Sequence, residues 1–222
     1  MKFKAIIFDL DGTLLNTLDD LADSVNFILT EHSFPVHNID AYKTFVGDGA
    51  FELISRALPE SKRERDFIKN LVIQFQEIYD KICLAKTRPY GNITEVLQIL
   101  HQQNVNLNVL SNKPHQFTVS IVNHYFGDIS FSQIWGERIE FARKPNPASA
   151  LEISKLIDIS PSEIIFVGDS VIDIKTAISA GMMPVGVSWG YHSAKKLENA
   201  GCNVILEKPE DILEFMNKNR IL

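Results

Sequence analysis

The chain has 222 residues, 45% of them apolar, and is therefore long enough to bury the core of one large domain or of a domain that carries an insert. Its net charge of −6 leaves no basic stripe for neutralising phosphates, which argues against a nucleic-acid partner. No apolar run approaches the ~18 residues of a transmembrane helix, so no membrane partner is expected, and the distant cysteines Cys83 and Cys202 indicate reduced thiols in a cytoplasmic protein.

The first predicted element is a strand over 5–8 that ends in two carboxylates. Four apolar residues bounded by a glycine turn are typical of a strand buried on both faces of a parallel sheet. Asp9 and Asp11 are two positions apart, so their side chains point the same way while the chain stays extended. Gly12 then allows a sharp bend before Thr13. The stretch predicts paired carboxylates at the edge where parallel sheets bind ligands.

A helical block follows this strand, with no strand candidate between residues 16 and 86. Apolar residues recur there at helical spacing, and Thr17 is predicted as the N-cap of the first helix. The predicted helices run over about 18–32, 39–45, 50–58 and 61–81. We interpret 16–86 as an all-helical cap domain, inserted into a catalytic core that consists of 1–15 and 87–222.

From Arg88 onward, predicted strands alternate with helices of about ten residues. Strands are predicted over 105–111, 133–136, 164–168, 184–188 and 203–206. Helices are predicted over 93–102, 114–125, 147–157, 171–180, 194–200 and 210–219, and a single turn over 160–163. Such alternation is typical of βαβ units. The fold class is therefore α/β, with a Rossmann-like parallel sheet core, helices on both faces and the inserted helical cap.

Polar residues follow two later strands and occupy one loop. The range 111–113, Ser-Asn-Lys, ends a strand just before a helix whose free N–H groups favour an anion. Lys144 is followed by two prolines that fix its direction. Asp169 ends another buried strand, and Asp173 lies one helical turn later. Each feature alone has a structural explanation, but carboxylates and a lysine at one sheet edge are also what binds Mg²⁺ and a substrate phosphate.

This combination resembles the haloacid dehalogenase-like superfamily of phosphatases. The matching stretches are Asp9-Leu10-Asp11-Gly12-Thr13, Ser111-Asn112-Lys113, Lys144-Pro145 and Gly168-Asp169-Ser170 with Asp173. Their order and spacing match as well, and the similarity spans essentially the whole chain. Similarity to the phosphoglycolate phosphatase-like branch is carried by the helical insert, Val46-Gly47-Asp48-Gly49 and Ser188-Trp189-Gly190-Tyr191.

The resemblance implies a Mg²⁺-dependent phosphomonoester hydrolase that acts on a small phosphorylated metabolite through an aspartyl-phosphate intermediate. Asp9 is then expected to be the nucleophile, Asp11 the general acid and base, and Lys144 the group that balances charge. Mg²⁺ is expected to bind Asp9, the backbone carbonyl of Asp11, and Asp169. Support for these ligands is expected from Asp173, Ser170 and Thr13.

Phosphate and substrate contacts are expected from Ser111, Asn112, Lys113, Gly47, Asp48, Gly49 and Arg56. The Ser111 hydroxyl and the backbone N–H of Asn112 are the expected donors to the transferring phosphoryl group. No basic residue directly follows Gly49, where phosphoglycolate-type enzymes often place one, and Arg56 is the candidate replacement. If neither Arg56 nor another cation faces the site, a carboxylated substrate such as phosphoglycolate is disfavoured.

Other activities remain open at this point. A sugar-phosphate mutase is disfavoured by Thr13, where that branch usually has a hydrophobic β-branched residue. A pyrophosphatase is compatible with the same site, whereas Asp11 disfavours a dehalogenase. A phosphonatase needs a cap lysine, for which Lys43 is the candidate. A non-catalytic phosphate-binding module predicts the loss of a key residue, and none is replaced. The expected oligomeric state is a monomer or a homodimer.

Overall fold

The computed structural model of the chain describes residues 3–219. The strands are β1 (Ala5–Phe8), β2 (Leu15–Asn16), β3 (Arg88–Pro89), β4 (Asn106–Pro114), β5 (Gln133–Glu137), β6 (Ile164–Gly168), β7 (Met183–Val187) and β8 (Ile205–Leu206). The helices are α1 (Leu18–Glu31), α2 (Ile39–Phe45), α3 (Ala50–Ala57), α4 (Arg65–Ile82), α5 (Ile93–Gln102), α6 (His115–Phe126), α7 (Ala148–Leu156), α8 (Val171–Ser179), α9 (Ala194–Asn199) and α10 (Asp211–Lys218). Among the described residues, no helix is both long and apolar enough to cross a lipid bilayer.

Within residues 3–219, six strands form one parallel sheet in the order β5-β4-β1-β6-β7-β8. In the middle of the sheet, Ile6 of β1 lies opposite Leu107 of β4 on one side and Ile165 of β6 on the other. The strand order reverses at β1, because β4 and β5 extend the sheet in one direction and β6 to β8 in the other. The crevice at the carboxyl ends of the strands beside such a reversal is where open sheets bind ligands.

The side chains of β1 alternate between the two faces of the sheet, as the pleat of a strand requires. Ile6 and Phe8 belong to a large apolar cluster that includes residues of α1, α5, α6 and α10. Ala5 and Ile7 belong to a second cluster with α7 and α8. All of these β1 side chains are completely buried, which is why the strand is a continuous apolar run. Helices therefore cover both faces of the parallel sheet, and the predicted α/β fold class is confirmed.

Helices α1 to α4 all lie between β2 and β3, which pair antiparallel as a short link. Within this insert, α1 packs against α2 and α4, and α3 also packs against α2 and α4. The completely buried Asp20 of α1 ties the two ends of the insert together, since its carboxylate accepts hydrogen bonds from the backbone N–H groups of Lys86 at 3.0 Å and Thr87 at 2.8 Å. The insert is helical as expected; its division from the core as a cap domain at 16–86 stays a prediction.

Some local features differ from the predicted ones. The strands β2 and β3 were not predicted, because each has two residues and forms only through pairing with the other, far along the chain. The helix predicted from 61 begins at Arg65, after a separate 3₁₀ turn at Glu60–Lys62. The single turn predicted at 160–163 is present at Pro161–Glu163, but Ser160 makes no side-chain cap.

Candidate active site

The segments that follow β1, β4 and β6 meet at one edge of the sheet, where the strand order reverses. Asp9 and Asp11 come from the first segment, the range 111–113 from the end of β4, and Asp169 from the third. Lys144, from the loop between β5 and α7, reaches the same place and contacts Asp9. The stretches that the sequence singled out are therefore brought together by the sheet topology.

Three aspartates face one another at this edge. Asp9, Asp169 and Asp173 each place a carboxylate oxygen within 4.8 Å of the other two, and all three residues are buried. The ammonium group of Lys144 is also buried; it donates to Asp173 Oδ1 at 2.6 Å and pairs with Asp9 Oδ1 at 2.8 Å. We call Asp9, Asp169 and Asp173 the aspartate trio. The positive charge of Lys144 thus lies beside three carboxylates, which carry more negative charge than it balances.

This charge imbalance changes the proton affinities of the trio. Burial, and then the nearby Asp173 carboxylate, raise the pKa of Asp9 from 3.8 to about 7 despite the opposing effect of Lys144. Burial and the carboxylates of Asp173 and Asp9 hold the pKa of Asp169 well above its usual range. Burial alone would lower the pKa of Lys144, but Asp173 and Asp9 outweigh it and raise that pKa. Further positive charge is needed if the whole trio is to be ionised near neutral pH.

Neighbouring residues fix the orientation of the trio. Gly12 has a φ of +89°, and a Cβ there would lie 2.4 Å from Asp169 Oδ2, so only glycine lets the loop after β1 approach so closely. Thr13 Oγ1 donates to Asp169 Oδ1 at 3.4 Å. At the start of α8, the Ser170 hydroxyl donates to Asp173 Oδ2 at 2.6 Å and accepts from the Asp173 N–H at 3.3 Å. This capping box leaves Asp173 Oδ1 for Lys144.

The aspartate trio fits a hard divalent cation. Such ions prefer carboxylate oxygens, and the ligand atoms of the trio are close enough to surround one ion. The raised pKa values of Asp9 and Asp169 indicate that the protein side chains alone do not supply enough positive charge to keep both carboxylates ionised. A bound divalent ion would supply that charge. Asp9 and Asp169 are the ligands expected from the sequence, and Asp173 lies beside them as the expected supporting residue.

The Asp11 carboxylate is held by a different set of partners. The buried ammonium group of Lys113 lies 2.9 and 3.1 Å from its two oxygens and 4.6 Å from the centre of the Tyr79 ring. The Thr17 hydroxyl donates to Asp11 Oδ1 at 2.7 Å. Thr17 occupies the predicted N-cap position of α1, but its side chain makes no cap hydrogen bond. The predicted N-cap position of Thr17 is therefore confirmed, but its hydroxyl binds Asp11 instead of an N–H group of the first helical turn.

The residues at the end of β4 face the site from an extended strand, since α6 begins only at His115. Ser111 Oγ accepts a hydrogen bond from the Lys113 N–H at 3.2 Å. The Asn112 amide donates to the carbonyl oxygens of Gly47 and Lys144, both at 3.0 Å, and accepts from the Lys144 N–H at 2.9 Å. The Asn112 side chain therefore positions Lys144 and contacts the loop of the insert.

The structure does not bring Arg56 into the site with the other predicted residues. Its guanidinium group donates to the Asp48 carboxylate and, at 3.0 Å, to the Phe45 carbonyl oxygen, both within the insert. Gly47 and Gly49, by contrast, line the cavity above Asp9. A substrate contact by Arg56 or by the Asp48 side chain stays a prediction that these positions do not favour.

A cavity of about 40 Å³ separates the insert from the sheet edge. Its polar wall includes Asp9, Asp11 and Ser111. Its apolar wall is formed by Leu21, Val46, Leu53, Phe75, Pro114 and Phe117. Within residues 3–219, Lys113 is the only cation that lines it.

Two residues with well-defined contacts at the site had no role in the sequence prediction. Arg143 donates to Glu137 at 2.6 Å and to the backbone oxygen of Asp48 at 3.1 Å, and so connects the core to the loop of the insert. The backbone N–H of Tyr191 donates to Asp169 Oδ2 at 2.7 Å. Both lie in stretches that the sequence marked as motifs, but their roles depend on contacts with distant segments that no local pattern predicts.

Comparison with known proteins gives consistent results. A family model described as haloacid dehalogenase-like hydrolase matches residues 6–187. A phosphoglycolate phosphatase from Mannheimia succiniciproducens is 34% identical over 221 residues, which cover 97% of this chain and 99% of that protein. A phosphoglycolate phosphatase from Haemophilus influenzae is 35% identical over 197 residues, or 86% of this chain and 88% of the relative.

A solved structure agrees with the fold as well. The crystal structure of a predicted phosphoglycolate phosphatase from Haemophilus somnus superposes with a TM-score of 0.90 at 33% identity. The match covers 97% of this chain and 99% of that one. The similarity therefore includes the helical insert as well as the parallel sheet.

Proposed function

Because the chain is a phosphatase that belongs to the haloacid dehalogenase-like hydrolases, in their phosphoglycolate phosphatase-like branch, we propose that it hydrolyses a small phosphomonoester with Mg²⁺ and an aspartyl-phosphate on Asp9. The observation that carries this proposal is the position of Asp9. It lies in the wall of the cavity and in the aspartate trio at once, with Lys144 at 2.8 Å. A carboxylate placed in this way can meet both a cation and a phosphate.

The reaction needs a nucleophile and a group that moves protons. An oxygen of Asp9 forms a bond to phosphorus while the bond between phosphorus and the leaving oxygen breaks, and protonated Asp11 gives its proton to that oxygen. Asp11 then takes a proton from a water molecule, whose oxygen attacks phosphorus and releases Asp9. The two carboxylates have separate partners, Lys144 for Asp9 and Lys113 with Thr17 for Asp11.

Charge balance explains the remaining polar groups. Lys144 holds Asp9 and its positive charge lies next to the position of the phosphoryl group. Ser111, at the end of β4, presents its hydroxyl to the cavity, and the backbone N–H of Asn112 is the second proposed donor. Mg²⁺ would be held by Asp9, Asp169 and the backbone carbonyl of Asp11, and when bound it supplies the charge that lets an anionic phosphate approach an anionic nucleophile.

The substrate that we propose is a small metabolite. The cavity is lined both by residues of the insert and by residues of the sheet edge, so the substrate would lie between them. Lys113, a buried cation that lines the cavity, is the group that we propose to pair with the carboxylate of a substrate such as phosphoglycolate. Two curated relatives that cover most of the chain carry the name phosphoglycolate phosphatase, so this compound is the first to test.

We place the enzyme in the cytoplasm. Cys83 and Cys202 are both free and buried, which suits a reducing compartment. The oligomeric state, expected to be a monomer or a homodimer, stays a prediction.

The test is phosphate release from a panel that contains phosphoglycolate, diphosphate, sugar phosphates and nucleotides. With Mg²⁺ we expect one small monoester to be clearly preferred, and chelation of the metal should reduce its turnover to background because the trio then lacks its neutralising charge. Addition of Mg²⁺ in excess of the chelator should restore the rate.

The panel also separates the alternatives. Preference for diphosphate would indicate a pyrophosphatase, and dependence on a bisphosphate activator would indicate a mutase. Turnover that is unaffected by complete metal removal would contradict the proposed role of Mg²⁺. No hydrolysis of any phosphoester would contradict the proposed function as a whole.

A further inference from the structure

Tyr191, which follows β7, contacts both halves of the active site. Its backbone N–H donates to Asp169 Oδ2 at 2.7 Å, within the aspartate trio. Its phenolic oxygen lies 3.1 Å from the Thr17 backbone nitrogen and 3.2 Å from Thr17 Oγ1. Thr17 in turn contacts Asp11. One residue thus contacts the trio through its backbone N–H and, through its side chain, the residue that holds Asp11.

The directions of these hydrogen bonds follow from the number of protons available. The Thr17 hydroxyl has one proton, and it donates that proton to Asp11 Oδ1 at 2.7 Å. The Tyr191 hydroxyl accepts from the Thr17 N–H, and its own proton is available to Thr17 Oγ1; the Tyr90 phenol is a further hydrogen-bond partner of the same hydroxyl. Together the two contacts with Thr17 hold both its backbone and its hydroxyl rotor, so that the Thr17 proton points at Asp11.

The position of Tyr191 is itself fixed by close packing. A Cβ on the preceding Gly190 would lie 2.3 Å from Asp169 Cβ and 2.3 Å from the Gly12 carbonyl oxygen, so only glycine fits between them. The indole N–H of Trp189 donates to the Thr13 carbonyl oxygen at 3.0 Å. The segment 189–191 is thus held against the loop that carries Asp9 and Asp11, and the phenol has a rigid support.

We propose that Tyr191 is a positioning residue for proton transfer: through Thr17 it holds the Asp11 carboxyl group where it can protonate the leaving oxygen. This inference rests on the proposed role of Asp11 as the general acid. Tyr191 itself touches neither the substrate nor the reacting atoms. The Tyr191 hydroxyl should affect the step in which the leaving oxygen receives a proton. The backbone N–H of Tyr191 can bind Asp169 whether or not that hydroxyl is present.

The effect of a Tyr191 substitution should therefore depend on the leaving group of the substrate. A purely structural role of Tyr191 would not produce this dependence. An alkoxide is a poor leaving group and needs the proton from Asp11, whereas a nitrophenolate leaves without one. The value of kcat/KM covers the steps up to the departure of the leaving group, so it isolates this proton transfer from the later hydrolysis of the intermediate. A displaced Asp11 carboxyl group should therefore slow the cleavage of the alkyl ester more than that of the aryl ester.

The experiment compares kcat/KM of the Tyr191→Phe variant and the wild-type enzyme on the preferred alkyl phosphate from the panel and on p-nitrophenyl phosphate. We expect a loss of about tenfold on the alkyl ester, which is part of the 10²- to 10⁴-fold that a general acid typically contributes, and a loss of less than about twofold on the aryl ester. Activity on the aryl ester also reports that the variant is folded.

The matched control is Tyr125→Phe, which removes a phenol hydroxyl that donates to the Thr87 carbonyl oxygen at 2.7 Å, near the other end of the insert. It should leave the ratio of the two kcat/KM values unchanged. Asp11→Asn should show the same selectivity as Tyr191→Phe but a larger loss, and adding Tyr191→Phe to Asp11→Asn should cause no further selective loss.

The outcomes distinguish the inference from the proposal that it rests on. Equal losses on both esters in Tyr191→Phe, with a selective loss in Asp11→Asn, would overturn the role of Tyr191 and leave Asp11 as the acid. Equal losses in Asp11→Asn would overturn the assignment of the acid, and the role of Tyr191 with it. A selective loss in both variants, absent in Tyr125→Phe, supports the inference.

Discussion

Replacing Asp9 by asparagine should lower kcat by a factor on the order of 10⁴ or more, because an amide cannot replace the carboxylate that attacks phosphorus. The fold should remain intact. Burial and Asp173 already raise the pKa of Asp9 to about 7, so the carboxylate is held in an unfavourable environment, and the neutral amide relieves repulsion within the trio. Without Mg²⁺ the variant should unfold at a urea concentration no lower than the wild-type protein does.

The measurements are phosphate release with the preferred substrate and urea unfolding followed by circular dichroism. Asp66→Asn is the matched control, since Asp66 is an exposed aspartate of α4 that pairs with Lys69 far from the site, and it should leave turnover unchanged. Substantial turnover by the Asp9→Asn variant would contradict the assignment of Asp9 as the nucleophile.

Replacing Lys144 by methionine should have the largest effect on stability. The change leaves the buried trio without the ammonium group that lies 2.6 Å from Asp173 and 2.8 Å from Asp9. Breaking a buried ion pair by removal of one partner typically costs about 3–5 kcal/mol of unfolding free energy. In contrast, Lys155→Met removes an exposed pair with Glu152 at 3.6 Å and should cost about 0–1 kcal/mol.

The cost of Lys144→Met should depend on pH in a defined direction. A carboxyl group whose pKa is raised in the folded state stabilises the fold at low pH, and this contribution is lost as the pH rises to the folded-state value. For Asp9, with 3.8 as the ordinary value and about 7 in the folded protein, the window lies between roughly pH 4 and pH 7. Removal of the ammonium group should raise that pKa further and extend the window upward.

Urea unfolding of the metal-free proteins at pH 5 and pH 8 tests this effect. The difference in unfolding free energy between the wild-type protein and Lys144→Met should be larger at pH 8, where the trio is more ionised, than at pH 5. Mg²⁺ at pH 8 should restore part of the lost stability. An equal difference at both pH values, or none at all, would mean that Lys144 does not compensate the charge of the trio.

The sequence predicted that Asp9 and Asp169 lie close together, and the reason is physical. Asp9 and Asp169 each follow a completely apolar strand, and parallel strands that neighbour each other bring their carboxyl ends to one edge. Recognition of the two apolar strands from the local sequence was therefore enough to predict that these carboxylates lie together. Lys144 required the resemblance as well, because the two prolines after it fix the local direction of the chain but not the position of its loop relative to the sheet.

The contacts that depend on distant segments were not predicted. Thr17 has the position and residue type of a helix cap, yet its hydroxyl binds Asp11 and contacts Tyr191 from a distant part of the chain. Arg56 was the expected cation of the cap, but Asp48 binds it within the insert. Side-chain direction in such cases is decided by tertiary partners, which neither periodicity nor residue type reveals.

The central claim is that Asp9 carries the phosphoryl group during turnover. The most direct test mixes the Asp11→Asn variant with Mg²⁺ and p-nitrophenyl phosphate, quenches the reaction in acid and analyses the peptides by mass spectrometry. Nitrophenolate needs no proton to leave, and loss of the base slows hydrolysis of the intermediate, so we predict a burst of nitrophenolate and one phosphoryl group on Asp9. A burst with Asp9 unmodified, or with the phosphoryl group on another residue, would contradict the claim.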